Sequence, residues 1–173
     1  MKRNAAVAVL FAVVAFVAVC QTSWAKEKIM KLSVEQQLKK FDELDFDVFS
    51  NQKWERLHES HSQDVTVVWP DGHETHGIEK HIADLKFMFS YAPDTRIKVH
   101  PVRFGNGEYT GVIGVMEGTF TKPMGMGEKA IQPTGKALKI SMATIGHWKG
   151  ETMDKEYLFW DNADYMKQIG LSN

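Results

Sequence analysis

The sequence predicts a single α+β domain, with helices first and an antiparallel meander after them. Three observations predict it. Between Ser33 and Pro93 apolar residues recur at helical spacing, broken by one β-branched run. From Asp94 onward the period changes to two. The chain has 173 residues, 43% hydrophobic and 25% charged, which fits one ordinary globular domain. Lys and Arg total 21 against 22 Asp and Glu, so the net charge is −1, which argues against a dedicated nucleic-acid binder.

The N-terminus reads as a targeting segment. Lys2 and Arg3 precede an unbroken apolar run from Ala5 to Val19, and Ser23-Trp24-Ala25 carries small residues where a signal peptidase cuts. Residues 1–25 are therefore expected to be a secretory signal peptide, and 26–173 the single domain. The run is shorter than the roughly 18–20 apolar residues of a spanning helix, so no membrane association is expected after cleavage. The expected location is periplasmic or secreted. The alternative is a lipoprotein through Cys20, the only cysteine, although Val19 before it is larger than that pattern wants. Cleavage after Ala25 leaves no cysteine, so the exported domain holds together without disulfides or thiol chemistry.

The elements follow in order. Ser33 and Gln36 have the spacing of a capping box. Val34, Leu38, Phe41, Leu44, Val48 and Phe49 then fall near one helical face. Asn51 is placed to cap a second short helix, with Trp54, Leu57 and His58 to one side. Asp64 opens a strand, Val65 to Trp69, and Pro70-Asp71-Gly72 turns it. A third helix follows Gly77, because Ile78, Ile82, Leu85 and Phe89 recur at helical spacing, and Pro93 ends it. Ile97, Val99, Pro101 and Phe104 predict one strand, and Gly105-Asn106-Gly107 a hairpin turn. A strand from Glu108 to Phe120, a loop from Thr121 to Lys136, and an alternating strand through Leu138, Ile140, Met142 and Thr144 come next. Lys149-Gly150 turns into a last strand, Thr152 to Asp161, and Ala163 to Ile169 closes as a helix. A curved sheet wrapped over helices encloses a cavity, the usual small-molecule site.

Glu156-Tyr157, Asp161 and Gln168-Ile169-Gly170 resemble the end of SnoaL-like proteins, or ester cyclases, of the nuclear-transport-factor-2-like superfamily. Pro133-Thr134-Gly135-Lys136 and the early Trp69-Pro70-Asp71-Gly72 with Gly77-Ile78 fit the same pattern, so the resemblance spans roughly residues 33–171. It implies a cone: a curved antiparallel sheet folded on three N-terminal helices, with a pocket at the open end, and a homodimer through the sheet's outer face. It also implies an intramolecular aldol cyclisation without metal or cofactor, with an acidic residue as general acid–base. That residue maps onto Asp161. Strand alternation puts Tyr157 and Phe159 on its side, which would desolvate the carboxylate and raise its pKa toward the range of a base. The family's middle-strand histidine is replaced by Met116, two residues before Gly118, and the loop between Phe120 and Pro133 is longer than the family's.

Asp161 is therefore the expected catalytic residue, with Tyr157, Phe159, Trp69, His73, His61 and Met116 as expected substrate contacts. The expected ligand is a small, partly apolar carbonyl compound, and the expected enzyme is a cofactor-free cyclase, isomerase or lyase. The alternative is a non-catalytic exported binding protein with the same pocket. His58 and His61 stand three apart and are expected to share a helical face. His73, His76 and His81 have a spacing a metal could use, but two flank a turn and His81 is expected near the polar side of its helix, so no metal is expected. Trp160, alternating away from Asp161, is expected to pack under the helices or form a dimer surface. Met124-Gly125-Met126-Gly127 is read as either a lid or a plain connection. No nucleotide-binding glycine fingerprint and no Gly-x-Ser-x-Gly elbow is present.

Overall fold

In the computed structural model, which describes residues 31–172, the chain folds from its caps inward; the expected signal peptide lies outside the described residues. Ser33 and Gln36 form the reciprocal capping box, and α1 runs Val34–Glu43. The helix then widens into a π segment, Leu44–Phe49, in which the Ser50 N–H donates to the Asp45 carbonyl. This widening buries Leu44, Asp45, Val48 and Phe49 together. Asn51 does not cap the next turn as expected: its amide donates back to Asp47, and a 3-10 helix, Trp54–Glu59, starts without a side-chain cap. Strand β1 is His61–Val68, longer than expected at its start, and β2 is Glu74–His76, beyond the turn at Gly72. Helix α2 is Ile78–Tyr91, entered through Gly77 at φ 87°, a conformation that suits only glycine.

The single strand expected from Ile97 to Phe104 is two: β3, Arg96–Ile97, and β4, Val102–Asn106. Pro101 has no N–H to give a ladder, and the preceding His100 turns inward to bond Asp42 and Asp45. Strands β5, Tyr109–Thr119, β6, Ala137–Lys149, and β7, Thr152–Phe159, complete the sheet, and α3, Asn162–Gln168, closes the chain. The strand order is β2-β1-β7-β6-β5-β3, with β4 also on β5. All pairs are antiparallel except one: β1 and β7 run parallel, so the sheet is not purely antiparallel as expected.

The period-2 reading of β6 holds. Leu138, Ile140, Met142, Thr144 and Trp148 point inward, and the alternate residues are exposed or half-buried. The inner face packs on Phe41, Leu57, Leu85 and Phe89 from the helical layer. Gly146 leaves no room for a side chain, since a Cβ there would collide with Met153 and crowd Phe41. Among the described residues no helix is long and apolar enough to cross a membrane.

Candidate functional site

Between the curved sheet and the helices lies a narrow cavity of about 40 Å³, room for a few waters. Its wall is mostly apolar: Leu57, Leu85, Met88, Ile97, Met116 and Leu158 among others. Four ionisable side chains break it: Asp45, His61, His81 and Glu156. Each is placed by an element whose inward positions are otherwise apolar. Asp45 comes from the π segment. His61 begins the inward series of β1, ahead of Val65 and Val67. His81 lies on the buried stripe of α2 with Ile78 and Leu85, and not toward the polar side as expected. Glu156 lies on the inward face of β7 between Met153 and Leu158.

The Glu156 Oε2 stands 3.6 Å from His61 Nε2 and 3.6 Å from His81 Nε2. All three side chains are at most 5% exposed. His61 Nδ1 contacts the Ser60 hydroxyl at 2.9 Å. His61 Nε2, His81 Nδ1 and the Thr144 hydroxyl are buried with no hydrogen-bond partner. Burial works against a charged Glu156, but His61 and then His81 outweigh it and hold the carboxyl below the usual carboxylate range. Burial pushes His81 down to about 4 against the pull of Glu156. Burial also raises Asp45 above its ordinary value, against its bond to His100. His100 bridges the wall to the surface: Nε2 is 2.7 Å from Asp45 Oδ2, and Nδ1 is 2.8 Å from Asp42 Oδ1. Burial disfavours the imidazolium, yet Asp45 and Asp42 together hold His100 above its ordinary pKa.

An outer groove of about 210 Å³ shares Trp69, Met88 and Trp160 with the cavity and adds His73, Asp84, Phe87 and Tyr91. Trp69 and Trp160 meet edge to face with centroids 6.2 Å apart, at the boundary between the two spaces. His73 stacks flat on Trp69 at 5.7 Å and is tied to Asp71. The loop from Thr121 to Lys136 lines neither space, and Met126 at its tip is exposed.

The expected site residues therefore divide. Trp69, His61 and Met116 line the cavity, and His73 lines the groove. Tyr157, Phe159 and Asp161 line neither. Past the irregularity after Met153, Glu156 and Leu158 face inward, so Tyr157 and Phe159 point to the outer face and Phe159 is 49% exposed. Asp161 is exposed and caps α3, its Oδ1 accepting from Ala163 N at 2.8 Å and Asp164 N at 3.0 Å. The desolvation expected of Asp161 is absent, because the strand ends at Phe159 before alternation reaches it. Trp160, expected elsewhere, lines the cavity. His58 sits exposed on the 3-10 helix while His61 is in β1, so they share no face. His73 and His76 are exposed and do not converge with the buried His81. Sequence reasoning did not place Asp45 or Glu156 in the site, and it set His81 aside as lying near the polar side of its helix. The available signal was a polar residue on an apolar stripe: Asp45 four after Phe41, His81 three after Ile78, Glu156 two before Leu158.

A sheet curled over helices around a cavity is the nuclear-transport-factor-2-like fold. Residues 39–169 match the family described as SnoaL-like polyketide cyclase, and the chain belongs to that family. Solved structures agree on the fold. A candidate SnoaL-like polyketide cyclase from Jannaschia sp. CCS1 has a TM-score of 0.70 at 17% identity, over 80% of this chain and 94% of that one. IdmH of Streptomyces antibioticus, a candidate polyketide cyclase, has a TM-score of 0.66 at 17% identity, over 78% and 99%. A candidate cyclase from Xanthomonas campestris pv. campestris has a TM-score of 0.68 at 14% identity, over 80% and 100%. No curated protein matches the chain.

Proposed function

We propose that this protein is an exported enzyme that moves a proton on a small, partly apolar carbonyl compound, in a cyclisation, isomerisation or lyase step. One observation carries the reading: His61, His81 and Thr144, each with a buried polar atom that has no hydrogen-bond partner, line the same mostly apolar cavity as the Glu156 carboxylate. Buried polar atoms are nearly always paired, so such a group is made for something that enters. Asp45 is the proton-carrying group in this reading, in place of Asp161. It lines the cavity and has His100 and Asp42 behind it as a path toward solvent. The histidine–glutamate cluster receives the polar end of the ligand. The cavity is tight for a substrate, and Met88, Met116 and Met142 in its wall are the flexible residues that would yield. A location outside the cytoplasm favours a small diffusible compound over a nascent polyketide. The assembly we propose is a homodimer through the outer sheet face, where Ile145, Tyr157 and Phe159 remain accessible.

Catalysed exchange of α-protons tests this. Small apolar β-dicarbonyl compounds in D₂O should exchange faster with wild-type protein by proton NMR. Asp45→Asn should lower that rate about 100-fold or more, the usual contribution of a general base. Binding of the same compounds with no exchange would establish the second reading, a non-catalytic binding protein, which the replacement of the family's histidine by Met116 favours.

A further inference from the structure

We propose that His61, His81 and Glu156 together bind a first-row divalent cation such as zinc, through two imidazole nitrogens and one carboxylate oxygen. Their ligand atoms all lie within 4.8 Å of one another, and all three residues are buried. The proposal departs from the cofactor-free chemistry that the family resemblance implies. It concerns the same cavity as the proposed function but is read without a substrate, so either can fail alone.

Spacing is the first argument. Both histidine Nε2 atoms stand 3.6 Å from Glu156 Oε2. That is too long for a hydrogen bond, and longer still than the roughly 2.7–2.9 Å of a charge-assisted one. It is close to the edge of a tetrahedron built on metal–ligand bonds of about 2.1 Å, which is about 3.4 Å. Two of the three edges of the cluster are therefore near the length a shared cation sets, and the third lies within 4.8 Å.

The proton inventory is the second. The Ser60 hydroxyl stands 3.2 Å from the Leu57 carbonyl and 2.9 Å from His61 Nδ1. With the hydroxyl donating to Leu57, its oxygen is free to accept from a proton on His61 Nδ1, the tautomer in which Nε2 presents a lone pair. That lone pair faces the Glu156 carboxylate, and Nε2 has no hydrogen-bond partner. Two acceptors aimed at each other in an apolar wall repel unless a positive charge lies between them. Fixing the tautomer through Nδ1 is also how ligating histidines are ordinarily oriented, here by Ser60.

The donor set is the third. Two imidazoles and one carboxylate suit zinc and its first-row neighbours, and fewer than four protein ligands leave a position open. The cavity gives that position somewhere to face, and a cation there would polarise a carbonyl oxygen brought to it. The exposed His73 and His76 have no comparable partners in the wall.

The test uses the full purified chain, stripped with EDTA and titrated with zinc by calorimetry. Wild type should take up one zinc per chain, with a raised melting temperature. His81→Ala and Glu156→Gln should lose that equivalent, and the His73→Ala/His76→Ala double variant should keep it. Ser60→Ala should weaken binding about 10–100-fold, the usual cost of losing a ligand's hydrogen-bond partner. Circular dichroism shows whether each variant is folded. Should a ligand variant not fold, X-ray absorption at the zinc edge of the wild-type protein decides instead, by the scattering of two imidazoles. Absence of stoichiometric uptake, equal uptake by folded His81→Ala and Glu156→Gln, or an edge spectrum without imidazole overturns the proposal.

Discussion

At the residue scale, Asp161 is exposed at a helix cap while Glu156, five residues earlier, is buried in the cavity wall. Asp161 has the family position, yet its carboxylate accepts two backbone N–H groups at the head of α3. Asn caps as well as Asp, whereas Ala does not. Asp161→Asn should thus leave stability and α-proton exchange unchanged, and Asp161→Ala should cost about 1 kcal/mol in urea unfolding. A large loss of exchange in a stable Asp161→Asn protein would return the acid–base role to Asp161. Trp69 and Met116 were legible as cavity-lining residues because a turn motif and a family position marked them, whereas His61, read on a helical face with His58, reaches the cavity as the first residue of β1. Glu156 was not legible, because β7 was read with the opposite parity. An error of one residue turns every side chain to the other face, and it moved Tyr157 and Phe159 out of the site together. His81 was obscured by assigning the stripe of α2 to Ile82, which is half-buried, while Ile78, His81 and Leu85 are the buried set.

At the scale of elements, caps and turns were legible and irregularities were not. The capping box at Ser33 follows from two residues three apart, and Ser33→Ala should lower stability by about 1 kcal/mol. The π segment has no such signature, since Leu44–Phe49 has the spacing of an ordinary helix continuing. Its effect is visible only through what it buries, which includes Asp45. Asp45 and His100 join this segment to the gap between β3 and β4, and that contact should respond to pH. The folded-state pKa of His100 is raised, so its stabilising contribution is complete below the unfolded value of about 6.5. The contribution is lost as pH rises through the higher folded value. The urea midpoint of wild type should therefore fall over that interval, and His100→Gln should flatten the fall. A midpoint that rises there would mean that the imidazole is not held in its charged form.

At the scale of the whole molecule, the order of helices and strands was readable because period and turn chemistry are local. The pairing of β1 with β7 was not, because nothing local specifies it. That pairing joins His61 to Met153 and Val67 to Glu156. Gly146→Ala tests how tightly the sheet closes on α1 at the neighbouring strand. It should destabilise the fold by about 1–3 kcal/mol, the usual cost of overpacking, and a neutral result would show that Met153 and Phe41 can yield. The parallel seam also has a consequence in time. Contacts between distant parts of a chain form late, since the loop between them must first be closed. Both histidines of the cavity are synthesised long before Glu156. A nascent chain stalled short of β7 can complete α2 and the start of the sheet, and it then exposes two apolar-flanked imidazoles with no carboxylate set between them.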